Sequence, residues 1–469
     1  MKNCHHSSLY KECSPAARAA GFVRPSADQR LSALSTTGRR ARGNLLADRE
    51  GSNDSWTFPA PLVLPDDDLA QESDQEGQTV KDWHDMINTG DRNGVTARRK
   101  KIHVILPPII PQDMAKLQDW YIPVLPESNA PENLDKWTSA FTKIDDLVSY
   151  LEVFYHPMEI VLSTNKFTWR PWREPRRRRR YKKASTTATV GLETPDGTKL
   201  YPVRCRPSPD GFAKMQMHLG DITDVLLCRP PQDAYCTVMV TDHDLYEDDE
   251  DEFTVGRSWG LDRISVVSAF RYNPALDATF GIDRAHLWPS SHCKLFVDAQ
   301  CGINNTQRRR KADDERPAGV PPSDSALALA VKAAKSVPKP VTRDELASYW
   351  FARLAVTVSH EIGHCFGLDH CVYYACVMQG VASIRQDGQV PPYLCPICAA
   401  KLGFELGALV PGFGTRMAKQ QVWLKEQYVV MKEWCGKWNH VPQFAGFEAW
   451  LAKRLEDMNG EGDEAESSQ

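Results

Sequence analysis

The chain has 469 residues, 42% of them hydrophobic and 25% charged, with a formal net charge of −4. That is the composition of a globular protein, and the length leaves room for two or three average domains. The charge balance excludes a global attraction to nucleic acid or acidic membranes, and no run approaches the roughly 18 apolar residues of a membrane-spanning helix.

Residues 1–95 are rich in Ser, Asp, Arg, Gln and Pro, with little periodicity, as in "LPDDDLAQESDQEGQTVKD". They read as a mostly disordered extension. Its first residues hold no apolar stretch of the kind a signal peptide needs, so the cytoplasm or nucleus is the expected location. In a reducing compartment the 13 cysteines bind metal more readily than they form disulfides.

Order is expected from about residue 96 to 440. "KIHVILPPII" (101–110) reads as a buried strand, "LDKWTSAFTKIDDLVSYLEVFYHP" (134–157) as an amphipathic helix, and "MEIVLST" (158–164) as a strand. Pro195-Asp196-Gly197 between two β-rich runs predicts a hairpin over 190–206. A helix follows around "HLGDITDVLL", then strands in "YCTVMVTDHDLY" and "RISVVSAFRY". Residues 303–340 read as a disordered insertion with a short helix in "ALALAVKAA". Thr342 and Glu345, spaced as a capping box, start a long helix that Gly367 ends. Two further helices are read in "RMAKQQVWLKEQYVVMKEWC" (416–435) and "GFEAWLAKRLEDM" (446–458), so 441–469 is expected to be a C-terminal helix and a disordered tail. The sum is a mixed α+β domain.

The chemistry is concentrated in "HEIGHCFGLDHC" (360–371). His360 and His364 lie four apart, so their imidazoles share one helix face and can grip one Zn²⁺. Glu361 is then placed beside the metal, where it can take a proton from zinc-activated water and return it to the leaving amine. Gly367 permits the sharp exit that brings His370 back as a third nitrogen ligand. Three protein ligands leave a fourth position for water, the mark of a catalytic zinc. The full H-E-x-x-H-x-x-G-x-x-H pattern is restrictive enough to outweigh an exposed or core-satisfied histidine pair.

Cys371 and Cys376, followed by Cys395 and Cys398 in "LCPIC", form two short-spaced pairs that match a closed, structural four-thiolate zinc. Cys365, between the histidine ligands, reads as a small core residue. Cys205, Cys228, Cys236, Cys293, Cys301 and Cys435 show no usable pairing, and Met378 in "CVMQG" fits core filling.

These residues resemble the archaemetzincin family of zinc metallopeptidases. The metzincin motif is met in full, and the cysteine directly after the third histidine, with both pairs behind it, points to that branch. Fainter likeness reaches upstream through "YPVRCRPSPDGFAKMQMH", "VMVTDHDLY" and "VVSAFRY". The resemblance implies a zincin-like fold: a mixed twisted sheet, an active-site helix, and Met378 as a Met-turn beneath the catalytic zinc. It implies two zinc ions per chain, one at His360, His364 and His370 and one at the four cysteines, with Glu361 catalytic. It also makes "VVSAFRY" (266–272) the antiparallel edge strand along the cleft, open to an extended peptide. Cleavage at an internal bond or at an N-terminal residue is equally compatible.

The expected partner is a peptide or protein substrate, with no membrane or nucleic acid and a monomeric state. The basic run "RPWREPRRRRRYKK" (170–183) fits a solvated loop, a nuclear targeting signal or a phosphate contact, and "YEDDEDE" (246–252) lacks the spacing of a calcium loop. The competing function is a catalytically silent zinc-binding scaffold. Glu361 weighs against it, because a scaffold needs no general base.

Overall fold

In the computed structural model, the described residues are 4–39, 56–126, 140–164, 166–173, 188–228, 230–303 and 318–467. Twelve strands are named here in chain order: β1 (Leu9–Tyr10), β2 (Lys101–Ile105), β3 (Glu159–Leu162), β4 (Thr168–Pro171), β5 (Ala188–Glu193), β6 (Leu200–Arg206), β7 (Gln216–His218), β8 (Ala234–Thr241), β9 (Asp244–Tyr246), β10 (Gly256–Trp259), β11 (Ile264–Ser268) and β12 (Ala318–Gly319).

The first five-stranded sheet runs β10-β11-β8-β2-β3. All its pairings are parallel except β10–β11, which is antiparallel and leaves β10 at the edge. β8, "AYCTVMVT", is buried at all 8 positions, as a central parallel strand covered on both faces must be. The second sheet runs β4-β5-β6-β7-β9, antiparallel up to β7 and parallel at β7–β9. Its β5–β6 hairpin turns at Gly197, whose φ of +67° few other residues tolerate, while Asp196 accepts the Thr198 N–H.

The Arg343–Cys365 helix packs on the first sheet. Its predicted capping box is present: Thr342 Oγ1 accepts the Glu345 N–H at 3.2 Å, and Glu345 Oε2 accepts the Thr342 N–H at 2.8 Å. Nearly every residue from Leu346 to Cys365 is buried, so the helix is enclosed by the fold rather than lying on it.

The expected boundaries near 95 and 440 are not seen. One apolar core takes in residues from Ala17 to Leu451. The described part of 1–95 is packed rather than disordered: Leu9, Val63, Leu64 and Trp83 are fully buried, and the Val80–Thr89 helix carries its own Thr79–Asp82 capping box. The short apolar runs here dock onto a surface built by the rest of the chain, which is why they show no internal period. Within 303–340, residues 304–317 lie outside the described residues, but β12 pairs antiparallel with β1 and the Ala326–Ser336 helix packs on the Pro442–Ser467 helix. The expectation of a disordered insertion therefore fails for 318–340, although the short helix read in "ALALAVKAA" is present; the expected C-terminal helix is also present and its backbone runs on from 458 to Ser467, into the expected tail. Most of the basic run, from 174 on, and the start of the predicted 134–157 helix also lie outside the described residues; the described helix is Ile144–Phe154. No described helix is long and apolar enough to cross a membrane.

Candidate metal centre and cleft

The enclosed helix ends where the chemistry begins. Gly367, at φ +75°, turns the chain out of the helix, with its N–H on the His364 carbonyl at 2.8 Å. The turn brings His370 back over the helix, and the rings of His360, His364 and His370 lie 4.6–5.3 Å apart between centroids. One ring nitrogen from each lies within 4.8 Å of the others.

The tautomers follow from the neighbours. His360 Nδ1 faces the Val377 carbonyl at 2.8 Å and His364 Nδ1 faces the Leu368 carbonyl at 2.6 Å. A carbonyl only accepts, so both Nδ1 atoms carry the proton and both Nε2 atoms present lone pairs. Those two Nε2 atoms stand 2.9 Å apart. Burial, with His364 beside it, pushes His360 down to about 3, and burial with His370 beside it takes His364 to about 4. Two neutral imidazoles facing each other by their lone pairs are a poor contact on their own, but they are the donor set a cation such as Zn²⁺ requires.

Glu361 points from the same helix toward a cleft of about 850 Å³ lined by His360, His364, His370 and β10 residues. Ser258 Oγ, on β10, lies 2.6 Å from Glu361 Oε2 and 2.7 Å from the Glu361 carbonyl. The strand beside the cleft is thus β10, not the 266–272 segment expected from sequence. β11 is interior, paired on both sides, and its continuation is a short 3₁₀ turn at Phe270–Tyr272.

Met378 is fully buried, and a Cβ added at Gly363 would collide with its sulfur. The Cys371 N–H bonds the Met378 carbonyl at 2.7 Å, joining the histidine turn to the cysteine group. Cys371, Cys376, Cys395 and Cys398 are buried with their sulfurs within 4.8 Å of one another; Cys371 and Cys395 Sγ are 3.6 Å apart, and the Cys395 N–H points at Cys376 Sγ at 3.2 Å. Burial pushes the Cys376 and Cys395 thiols well up; at Cys371 burial acts the same way, but hydrogen bonds from the other three sulfurs outweigh it and hold that thiol well below its usual value. Cys365 stands apart from both groups as expected, buried with its sulfur 3.2 Å from Ser265 Oγ.

Several supporting residues carried no sequence signal. The supposedly disordered extension braces the 366–370 turn: Trp83 Nε1 donates to the Phe366 carbonyl at 2.8 Å, and Gln78 donates to the Gly367 carbonyl and accepts the Asp369 N–H. Asp68 sits beside His370, since a Cβ on Gly380 would meet both its carboxylate and His370 Nδ1; burial raises the Asp68 pKa and His370 opposes the shift. The acidic run 246–252 is held by Arg206, whose guanidinium donates to the Asp248 and Asp251 carbonyls.

Fold and site together define a mixed α+β protein whose buried helix carries an H-E-x-x-H pair completed by a third histidine. The sequence profile of peptidase family M54 matches residues 337–403. Archaemetzincin-2 of Homo sapiens is 31% identical over 193 residues, 41% of this chain and 43% of that protein. Archaemetzincin-2 of Rattus norvegicus is 25% identical over 247 residues, 52% and 54% of the two chains. The chain thus spans about half the length, or less, of these relatives. Among solved structures, archaemetzincin from Methanopyrus kandleri gives a TM-score of 0.30 at 14% identity, covering 66% of this chain and 97% of that one. A zinc-dependent peptidase from Methanocorpusculum labreanum gives 0.28 at 13% identity, covering 64% and 99%. The chain is thus similar to the archaemetzincins over its metal-motif segment and about half of its length.

Proposed function

We propose that the protein is a zinc-dependent peptidase in which His360, His364 and His370 hold the catalytic zinc, Glu361 is the general base, and Cys371, Cys376, Cys395 and Cys398 hold a second, structural zinc. The observation that carries this reading is the facing Nε2 pair with the Glu361 carboxylate beside it at an open cleft.

When bound, the ion supplies Lewis acidity, polarising the scissile carbonyl and bringing the pKa of water to about 7. Glu361 takes the proton of the attacking water and passes it to the nitrogen as the C–N bond breaks, so no covalent enzyme intermediate forms. Ser258, 2.6 Å from Oε2, keeps that carboxylate turned toward the cleft. An extended peptide adds to the outer edge of β10, whose backbone groups on that side have no strand partner among the described residues. Met378 is the apolar floor under the histidines, in the role of a Met-turn. The cysteine centre holds the His370–Cys371 turn against the 395–398 segment.

Zinc-loaded protein incubated with a degenerate peptide library tests this. Cleavage should appear, vanish with a zinc chelator, and return on adding zinc. A fully loaded protein that cleaves no member of the library contradicts the proposal.

A further inference from the structure

A third set of donors lies outside both groups. Cys4, His6, His286 and Cys293 each bring one ligand atom within 4.8 Å of the others. Cys4 Sγ lies 3.2 Å from Cys293 Sγ and 3.6 Å from His6 Nδ1. A tetrahedral zinc with Zn–S near 2.3 Å and Zn–N near 2.0–2.1 Å sets its ligand atoms about 3.3–3.8 Å apart, from nitrogen pairs to sulfur pairs. The Cys4–His6 separation matches such an edge, and the sulfur pair at 3.2 Å is about 0.5 Å inside one yet far from the roughly 2.05 Å of a disulfide.

His286 supplies the second, independent sign. The residue is 1% exposed, and its Nε2 is buried with no hydrogen-bond partner among the described residues. Its Nδ1 lies 2.8 Å from the Asp283 carboxylate, which fixes the proton there and leaves Nε2 as a bare donor. A carboxylate behind a ligating imidazole is the usual outer support of a zinc histidine. A buried lone pair left unmet is costly, so a ligand for Nε2 is expected. His6 adds a strained backbone, at φ +50° in the left-handed region that non-glycine residues rarely occupy, with its ring 4.9 Å from that of His286.

We propose that Cys4, His6, His286 and Cys293 form a closed Cys2His2 zinc site that fastens the N-terminal segment to the 286–293 turns. Two sulfurs and two nitrogens suit zinc, and four protein ligands leave no open position, so the role is structural. The surrounding contacts give it something to hold. Leu9 bridges to Cys293, and the Lys294 N–H bonds the Ser8 carbonyl at 2.9 Å. From the same turns, Trp288 N–H and Ser291 Oγ reach the Gly388 and Gln389 carbonyls at 3.0 and 3.1 Å, beside the Ile384, Asp387 and Val390 wall of the cleft. The site therefore links the beginning of the chain to that wall.

The test is independent of peptidase activity. The full chain is purified under reducing conditions, and zinc is measured for wild type, Cys4→Ser and His6→Ala. Each variant should carry about one zinc per chain fewer than wild type, since each site saturates separately. Equal zinc in all three overturns the proposal, as does a Cys4–Cys293 disulfide found by mass spectrometry of the unreduced chain. Crystals of the wild-type chain, read by zinc-edge anomalous scattering, need no variant. A peak among the four donors is expected, and its absence in a map that shows zinc elsewhere refutes the site.

Discussion

Gly363 sits in the middle of the long helix, where alanine is ordinarily favoured by about 0.8–1.0 kcal/mol. Here the added methyl would fall on the Met378 sulfur and 3.1 Å from its terminal carbon, with Met378 fully buried. Met378 has no exposed surface, so its thioether has little room to swing aside. Overpacking of this kind costs about 1–3 kcal/mol, so Gly363→Ala should be net destabilising by up to about 2 kcal/mol. In a Met378→Ala background the clash is gone, and the same substitution should become stabilising by up to about 1 kcal/mol. Denaturant unfolding of the four zinc-loaded proteins closes a double-mutant cycle with a coupling of about 1–3 kcal/mol. If Gly363→Ala stabilises the parent, or if the two substitutions simply add, the methionine is not packed against Gly363.

Other outcomes follow from the same contacts. Trp83→Ala removes a fully buried indole and its bond to the Phe366 carbonyl, and should cost about 3–5 kcal/mol; faster proteolysis of residues 56–95 would accompany it, and unchanged stability would contradict the docking. His243 is fully buried, and burial takes its pKa to about 4. The unfolded chain therefore binds a proton that the folded one refuses between about pH 6.5 and 4, and stability falls as pH drops through that window. Unfolding measured at pH 5 and 7.5 should show about 2 kcal/mol less pH dependence for His243→Gln than for wild type. Removing metal with a strong chelator should expose the Cys371, Cys376, Cys395 and Cys398 thiols to alkylation; thiols equally protected with and without metal would refute their zinc.

The helix of the histidines was legible because its information is local. The Thr342–Glu345 box, the four-residue spacing of His360 and His364, and Gly367 all act within a few turns. What was not legible depends on contacts across the chain. Trp83, Gln78 and Asp68 lie in polar surroundings with no period, and only the docked fold brings them to the 366–370 turn. Cys4 and Cys293 are 289 positions apart, so no short spacing announces them. The edge strand was assigned one strand inward because "ISVVS" of β11 is wholly buried, whereas "GRSW" of β10 is half-exposed and lacks alternation. Ser258 lies on that unmarked strand.

The central claim is that Glu361 performs proton transfer beside a zinc it does not ligate. Its most direct test is Glu361→Ala, with zinc content and peptide cleavage measured on the same sample. Wild-type zinc is expected, with cleavage reduced by at least about 100-fold. A variant that cleaves as well as the parent, or that has lost its zinc from the three histidines, would contradict it.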